Sequence, residues 1–245
     1  MLELYHAEPV ANSMKVLLCM KEKGITFVSH YVDLLRFEQH KPEFVKINPN
    51  GQVPVLVHEG AVINESTVIN EYLEDVFPQV RLRPENPVER AQMRIWSKFV
   101  DEYFCPALSM IGWHTMVRKV AQKLKKDELD EILSHIPLKE QRDKWATIAG
   151  SSFTEEQLAD SRRKLGVSIE RMEKLLQKSH WLAGPTYSLA EVNSYSIVAG
   201  VPRFFPEFMK PRATEWLAEM NARPAVKAAL EMPNKVPEAL RAFGD

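Results

Sequence analysis

The sequence lacks most features that mark secreted, metal-binding or membrane-spanning proteins. Its 245 residues include two cysteines, Cys19 and Cys105, which lie far apart without a Cys-x-x-Cys pair. A disulfide framework or zinc site is therefore not expected, and a reducing compartment is the default. The N-terminus, MLELYHAEPV, does not have the basic and then apolar pattern of a signal peptide. No uninterrupted apolar run approaches the roughly 20 residues of a membrane span. We expect a soluble, cytoplasmic protein without membrane attachment.

The sequence also lacks an excess of charge of either sign. Its 32 basic and 33 acidic residues give a formal net charge of −1. The local basic run at residues 119–126 is soon followed by acids and is typical of a solvated helix face. No global field therefore attracts nucleic acid, and no nucleic-acid partner is expected. The chain is long enough for one large domain or two small ones.

The first third of the chain predicts a sheet flanked by helices. The strand 2–5 is followed by a helix that Asn12 or Ser13 can cap and that Gly24 ends. A β-branched second strand, 25–32, makes this a parallel β-α-β unit. A loosely helical stretch, 36–46, follows. Two strands, 53–58 and 61–63, are then joined by a turn at Glu59-Gly60, and an amphipathic helix, 65–76, comes last.

The rest of the chain predicts helices alone. The proline-containing stretch 79–86 reads as a linker between a first domain, 1–78, and a second domain, 87–245. No strand-like alternation appears after residue 90. Three helix starts carry capping signals, and they begin at Asn86, Thr154 and Ser188.

Three short motifs have both a structural and a functional reading. Pro54 lies either in an edge strand or at the first residue of a strand, or it is a cis proline that exposes the preceding backbone N–H and C=O groups to a peptide ligand. Glu65 and Ser66 either cap a helix or hold a carboxylate at its positive end. Asn12 and Ser13 are also either caps or groups that stabilise a thiolate at a helix N-terminus. Taken alone, each motif leaves both readings open.

In their joint order, these motifs resemble the cytosolic glutathione transferases over the whole chain. The matching segments are 44–56 (FVKINPNGQVPVL), 64–69 (NESTVI) and 188–192 (SLAEV). One departure is Glu191, where the family's capping box usually closes with aspartate. The resemblance implies a thioredoxin-like N-terminal α/β domain, an all-α C-terminal domain, and glutathione as co-substrate without a metal. It also implies a homodimer.

Within this family, the chain looks most like bacterial β-etherases, which cleave aryl ethers of lignin fragments with glutathione. The segments that carry this closer resemblance are 11–13 (ANS), 37–40 (FEQH), 67–69 (TVI), 71–78 (EYLEDVFP), 100–105 (VDEYFC) and 111–113 (IGW). The implied reaction is direct attack of the glutathione thiolate on the carbon that bears the aryl ether, next to a carbonyl, with release of a phenol. A general conjugating or isomerising transferase and a non-catalytic ligand-binding homologue are the alternatives.

The resemblance also implies roles for individual residues. Ser13, with Asn12 beside it, is expected near the glutathione sulfur. Gln39 and His40 are expected to contact the glycine end of glutathione. Gln52, Val53 and cis Pro54 are expected at the cysteinyl unit. Glu65, Ser66 and Asp101 are expected at the γ-glutamyl end.

The apolar co-substrate is expected between the loop 6–10 and the first long helices of the second domain. Aromatic and soft side chains there suit a methoxylated ring, and the candidates are Tyr103, Met110, Trp113 and His114. Ordinary core packing is the alternative for several of them, and His114 can equally be a surface residue. The aromatic run 204–208 either covers the pocket or packs a loop.

The cysteines separate this reaction from redox chemistry. A redox or glutathione-removing transferase needs a cysteine at the start of the first helix, where this chain has Ser13. Cys19 lies almost two turns further on and is expected to be a small core residue.

Overall fold

A four-stranded sheet forms the centre of the N-terminal domain. The computed structural model describes residues 1–237. The strands are β1 (Leu2–His6), β2 (Val28–Tyr31), β3 (Val55–His58) and β4 (Ala61–Ile63), in the spatial order β2-β1-β3-β4. β1 pairs in parallel with β2 and antiparallel with β3, which pairs antiparallel with β4. The second strand is shorter than expected, because residues 25–27 form no ladder.

Three helices accompany this sheet, namely α1 (Ala11–Glu22), α2 (Pro42–Val45) and α3 (Ser66–Val76). The expected order of β-α-β followed by β-β-α is therefore confirmed, and the domain is thioredoxin-like. The stretch 36–46 is less helical than expected, since two short 3₁₀ turns, Leu34–Arg36 and Glu38–His40, precede α2.

The two ends of α1 differ in how well they follow sequence signals. Gly24 has a φ of +65° and ends the helix as expected, with Ile25 N–H donating to the Met20 carbonyl. The expected cap by Asn12 or Ser13 is wrong, because Val10 is the N-cap residue and no side chain caps the helix. Asn12 and Ser13 instead lie in its first turn, where their side chains are available for other contacts.

The rest of the described chain is helical. A nearly continuous rod runs from residue 87 to residue 121, interrupted by π-helical turns at Val100–Phe104 and Trp113–Val117. After residue 90, the part described up to residue 237 contains no strand, only one isolated bridge between Trp181 and Gly184. The helices are α4 (Pro87–Phe99), α5 (Cys105–Gly112), α6 (Arg118–Ala121), α7 (Lys126–His135), α8 (Lys139–Gly150), α9 (Glu155–Leu176), α10 (Leu189–Phe204), α11 (Pro211–Ala222) and α12 (Pro224–Leu230). No helix within residues 1–237 is long and apolar enough to cross a membrane.

The predicted helix starts are present. Asn86 accepts hydrogen bonds from the first turn of α4, and Thr154 opens α9 with a complete capping box. Ser188 and Glu191 form a second complete box at the start of α10. The Glu191 carboxylate is fully buried and also accepts from the Leu182 N–H at 2.7 Å. Glutamate therefore serves well where the family usually has aspartate.

A polar seam joins the sheet domain to the helices. The buried Lys15 ammonium donates to Asp101 at 2.6 Å, and the Asp101 carboxylate also accepts from Thr67. The Asn70 amide donates to Asn193 of α10 at 2.8 Å. Because these groups satisfy one another between two apolar faces, they fix how α1 and α3 sit against the helical domain.

Candidate functional site

A cavity of about 450 Å³ lies where the sheet domain meets the helical domain. Its volume falls in the usual range for small-molecule sites, about 300 to 1,000 Å³. Ten residues singled out in the sequence line it, and they are Asn12, Ser13, Gln39, His40, Gln52, Val53, Pro54, Glu65, Ser66 and Trp113. Residues far apart in the sequence therefore converge on one site.

Ser13 lies at the cavity wall with its hydroxyl held from one side. The Ala7 N–H donates to Ser13 Oγ at 3.1 Å, and the side chain is nearly buried. Because the oxygen accepts this bond, its own hydrogen is free to be donated to another acceptor. The first turn of α1 adds main-chain N–H groups that no side chain caps. Both features favour a negative charge here.

Asn12 is the more exposed of the two neighbours. Its amide oxygen lies 4.0 Å from the Cys105 sulfur of α5. Burial raises the pKa of the Cys105 thiol, which therefore stays protonated. The Asn12 amide nitrogen remains available to donate a hydrogen bond at the same helix end as Ser13.

Gln39 and His40 form the floor at one end of the cavity. The Gln39 amide donates to His40 Nε2 at 3.3 Å, which leaves the proton on Nδ1. Burial lowers the pKa of His40 to about 4, so the ring is neutral at physiological pH. His40 can therefore offer an N–H group without carrying a charge.

Gly51 packs directly against this histidine. Its φ is +61°, and a Cβ atom on it would lie 2.7 Å from His40 Nδ1. Glycine is thus required here both by the backbone conformation and by the space.

The backbone on either side of Pro54 also faces the cavity. The Val53–Pro54 peptide bond is cis, as the functional interpretation predicted. The Asn48 amide donates to the Gln52 carbonyl at 2.8 Å and holds the loop before it. Val53 lines the cavity and is not part of β3, so its main-chain groups are not used in the ladder of that strand.

Glu65 and Ser66 stand at the N-terminus of α3. Glu65 has a φ of +66°, and its side chain makes no capping bond. The simple capping interpretation of Glu65 is therefore wrong. The N–H groups of the first turn and the Ser66 hydroxyl are donors that can bind an anion beside the Glu65 carboxylate.

Asp101 does not reach the cavity. It pairs with Lys15 and accepts from Thr67 at 2.7 Å, immediately behind Ser66. Within this chain, Asp101 contacts the start of α3 and not the cavity itself.

Three of the four predicted co-substrate residues also lie away from the cavity. Tyr103 stacks on Phe99, with 5.1 Å between ring centres. Met110 packs in the helical core and accepts from the Ser161 hydroxyl. His114 shares a hydrogen bond with Ser152 at 2.9 Å. Of this set, the structure brings only Trp113 to the cavity.

Comparisons with known proteins agree with this geometry. The glutathione S-transferase N-terminal domain model matches residues 11–76, and the C-terminal domain model matches residues 104–224. Protein LigF of Sphingobium sp. is 45% identical over 240 residues, covering 94% of this chain and 93% of its own. Glutathione S-transferase F13 of Arabidopsis thaliana is 29% identical over 230 residues, which cover 93% of this chain and 88% of the Arabidopsis protein.

This chain belongs to the glutathione S-transferase family. The structure of the β-etherase LigF from Sphingobium sp. superimposes with a TM-score of 0.90 at 44% identity, covering 95% of this chain and 99% of its own. Glutathione transferase F7 from Populus trichocarpa superimposes with a TM-score of 0.73 at 26% identity. The superposition covers 94% of this chain and 98% of the Populus chain.

The transferase cavity has an aromatic wall that the sequence did not indicate. Trp145 of α8 lines it, and its ring lies 4.8 Å from that of Phe37 and 5.1 Å from that of Trp113. Gln141 lies one turn earlier on the same face of α8. Their spacing of four residues was the available signal, but the sequence does not say which helix faces the sheet domain.

Several buried polar atoms in the transferase cavity have no partner within residues 1–237. They are Glu8 Oε2, Gln39 Oε1, His40 Nδ1 and Asn64 Oδ1. Unpaired buried groups are costly, so their convergence indicates that polar groups of bound ligands pair with them. No group of three metal-binding side chains occurs in the same described part of the chain.

Other candidate groups have structural roles in this transferase. Cys19 is completely buried in the main core, and burial raises the pKa of its thiol far above the ordinary range. The aromatic run 204–208 packs on α9, where Phe205 and Phe208 stack beside Arg162. It does not line the cavity.

Proposed function

We propose that the protein is a glutathione-dependent β-etherase that cleaves β-aryl ethers of lignin-derived compounds. The observation that carries the proposal is Ser13, whose free hydroxyl hydrogen lies at a helix N-terminus in a cavity lined by peptide-binding groups and tryptophans. The 45% identity to LigF, whose structure is described as that of a β-etherase, supports this choice of reaction.

Glutathione would lie along the wall that the sheet domain provides. The α3 N-terminus and Ser66 suit the γ-glutamyl carboxylate, and the Glu65 carboxylate suits the ammonium group. The backbone of Val53 next to cis Pro54 suits the cysteinyl unit. Neutral His40 and Gln39 suit the glycine end. Asp101 would act only through Thr67 and Lys15.

Activation of the thiol needs a lowered pKa, because a free thiol with a pKa of about 8.5 is mostly protonated at neutral pH. The Ser13 hydroxyl would donate to the sulfur, and the positive end of α1 would stabilise the thiolate. Asn12 can donate from the same helix end.

The reaction that follows is a displacement at carbon. The thiolate forms a C–S bond at the carbon that bears the aryl ether, and the C–O bond breaks with its electron pair on the phenolate oxygen. A phenolate has a pKa of about 10, so it leaves readily and takes its proton from water. Trp113 and Trp145 would hold the ring, so the enzyme contributes mainly alignment and thiolate stabilisation.

The test is to incubate the enzyme with each enantiomer of a model β-aryl ether plus glutathione and measure released phenol. We expect phenol from one enantiomer, no phenol when S-methylglutathione replaces glutathione, and unchanged activity with a chelator. Phenol release without glutathione would overturn the proposal. Turnover of other electrophiles without release of phenol would favour the general transferase alternative. The absence of any turnover would favour the non-catalytic, ligand-binding alternative.

A homodimer is part of the same proposal. Large apolar side chains are exposed on β4, α3 and α4, namely Val62, Val68, Val88 and Ile95. Val88 and Ile95 are seven residues apart and share one face of α4. A cytoplasmic location is also proposed, and the two free cysteines support it.

A further inference from the structure

Glu8 is a carboxyl group in the cavity wall that the proposed reaction does not use. It follows β1 in the connection to α1 and lines the cavity. Its Oε2 atom is shielded from solvent and has no partner within residues 1–237. Burial raises the pKa of this carboxyl, while its own main-chain N–H partly offsets that effect. A carboxyl group in this position requires a hydrogen-bonding partner.

The neighbouring charged and titratable groups do not supply that partner. The Asp33 carboxylate repels Glu8, and it is itself used by the Leu35 and Arg36 N–H groups. The Tyr31 hydroxyl accepts from the Lys235 N–H and makes no hydrogen bond to Glu8 Oε2; burial raises the pKa of Tyr31, and the nearby Glu8 charge adds to this effect. No lysine, arginine or histidine side chain forms an ion pair with Glu8 within residues 1–237.

Glutathione is a poor candidate for the missing partner. It carries two carboxylates and, when activated, a thiolate, and each of these is repelled by another carboxylate. A carboxylate beside the sulfur would also raise the thiol pKa and oppose activation. The donors of glutathione are already matched in the proposed binding mode: the ammonium group by Glu65, the cysteinyl N–H by the Val53 main chain, and the glycyl N–H by the unpaired Gln39 Oε1 atom. The partner of Glu8 is therefore expected on the second substrate.

We propose that Glu8 determines specificity by accepting a hydrogen bond from a hydroxyl group of the aryl ether. This inference rests on the proposed function for the identity of the co-substrate. Without a hydroxyl group the ligand leaves the buried oxygen unpaired, and a site built in this way rejects the analogue that lacks the donor. The Leu34, Trp113 and Trp145 side chains, which also line the cavity, present mainly apolar surface and make no such distinction.

The test measures binding, so that it does not depend on turnover. Tryptophan fluorescence reports the ligand because Trp113 and Trp145 line the cavity. The probes are a β-aryl ether with a phenolic and an aliphatic hydroxyl, its phenolic methyl ether, and its analogue without the aliphatic hydroxyl. Each is titrated in the presence of S-methylglutathione. The proteins are the wild type, Glu8→Ala, Glu8→Gln and the control Glu43→Ala, which removes an exposed carboxylate outside the cavity.

The wild type and Glu43→Ala should bind the parent ether about ten- to a hundredfold more tightly than one of the two analogues. Glu8→Ala should abolish this ratio, and Glu8→Gln should restore part of it, because the amide oxygen still accepts. The affinity for glutathione should stay unchanged in both variants.

Equal ratios in the wild type and Glu8→Ala would overturn the inference, and so would a loss confined to glutathione affinity. Selective binding without phenol release would leave the inference standing and overturn the proposed function instead.

Discussion

At the scale of single residues, Ser13 links the fold to the proposed chemistry. Its oxygen accepts from the Ala7 N–H, so the hydroxyl is oriented before any ligand binds. Cys105 and Asn12 lie beside it without forming a competing nucleophile, because burial raises the pKa of the Cys105 thiol. The Ser13 hydroxyl would therefore stabilise a thiolate as a hydrogen-bond donor rather than act as a base.

Replacing Ser13 by alanine should raise the pKa of bound glutathione and slow turnover at pH 7. One hydrogen bond to a charged acceptor contributes about 1.5 to 3 kcal/mol, so we expect a loss on the order of ten- to a hundredfold. The loss should shrink toward pH 9, because hydroxide then supplies the thiolate. Rates across pH 6.5 to 9 check this, with Asn12→Ala and the double variant for comparison. If the two residues share the task, the double variant loses more than the two single losses predict. Small, additive and pH-independent losses would make both residues merely structural.

Gly51 offers a second test at this scale. Gly51→Ala should weaken glutathione binding about tenfold, because the new Cβ displaces His40 and the φ of +61° suits glycine. The matched control is Gly24→Ala, which has a similar φ of +65° but no atom within 4 Å of the new Cβ. It should cost only about 1 kcal/mol of stability and leave glutathione affinity unchanged. Equal affinities of the two variants for glutathione would contradict the role given to His40.

At the scale of elements, local signals predicted the fold wherever local physics decides it. Glu59 and Gly60 both have positive φ and make the predicted hairpin turn, and Gly24 ends α1 as expected. The predicted start of α1 was wrong because a contact with a residue far away in the sequence controls where the helix begins. Ser196 of α10 donates to the Ala11 carbonyl at 2.9 Å, and the helix has Val10 as its N-cap, two or three residues earlier than Asn12 or Ser13 indicated. No pattern near Asn12 could reveal this.

The same limit applies to the candidate site. Its sheet-domain half came from contiguous motifs such as residues 52–54 and 64–66, all of which reach the cavity. The helical half depends on how α8 packs against Phe37, so Trp145 was missed while Tyr103 and His114 were named instead. A helical face becomes a pocket wall only through tertiary packing.

The two capping boxes give a prediction for single elements. Glu191→Ala should destabilise the protein by about 3 to 5 kcal/mol, because buried N–H groups of Leu182 and Ser188 lose their acceptor. The control is Thr154→Ala in the exposed box of α9, which should cost about 1 kcal/mol. Denaturant unfolding of the two variants measures the difference. Similar losses would mean that burial of the Glu191 box adds nothing.

At the scale of the whole molecule, α3 and α4 together present the proposed dimer surface. Arg94 makes two hydrogen bonds of 2.9 Å to Glu71, which places the two helices side by side across the domain boundary. The exposed Val68 and Ile95 flank this pair along the chain. An apolar surface that spans both domains suits a two-fold contact between copies.

Lysine at both Val68 and Ile95 should convert the dimer into monomers, because charges cannot be buried unpaired at an apolar contact. Light scattering at micromolar concentration should give about twice the chain mass of 28.2 kDa for the wild type, and the single mass for the variant. Val167→Lys is the control, since Val167 is equally exposed but lies on α9. A wild-type protein of single mass would contradict the proposed dimer.

Analysis of the two products is the decisive test of whether glutathione sulfur displaces the phenol at carbon. The enzyme is incubated with a model β-aryl ether and glutathione in ¹⁸O-labelled water, and the masses of both products are measured by mass spectrometry. We predict one glutathione thioether for each phenol released and no ¹⁸O in the phenol, because the ether oxygen leaves with the ring. Phenol formed without the thioether, or ¹⁸O in the phenol, would contradict a displacement at carbon by glutathione sulfur.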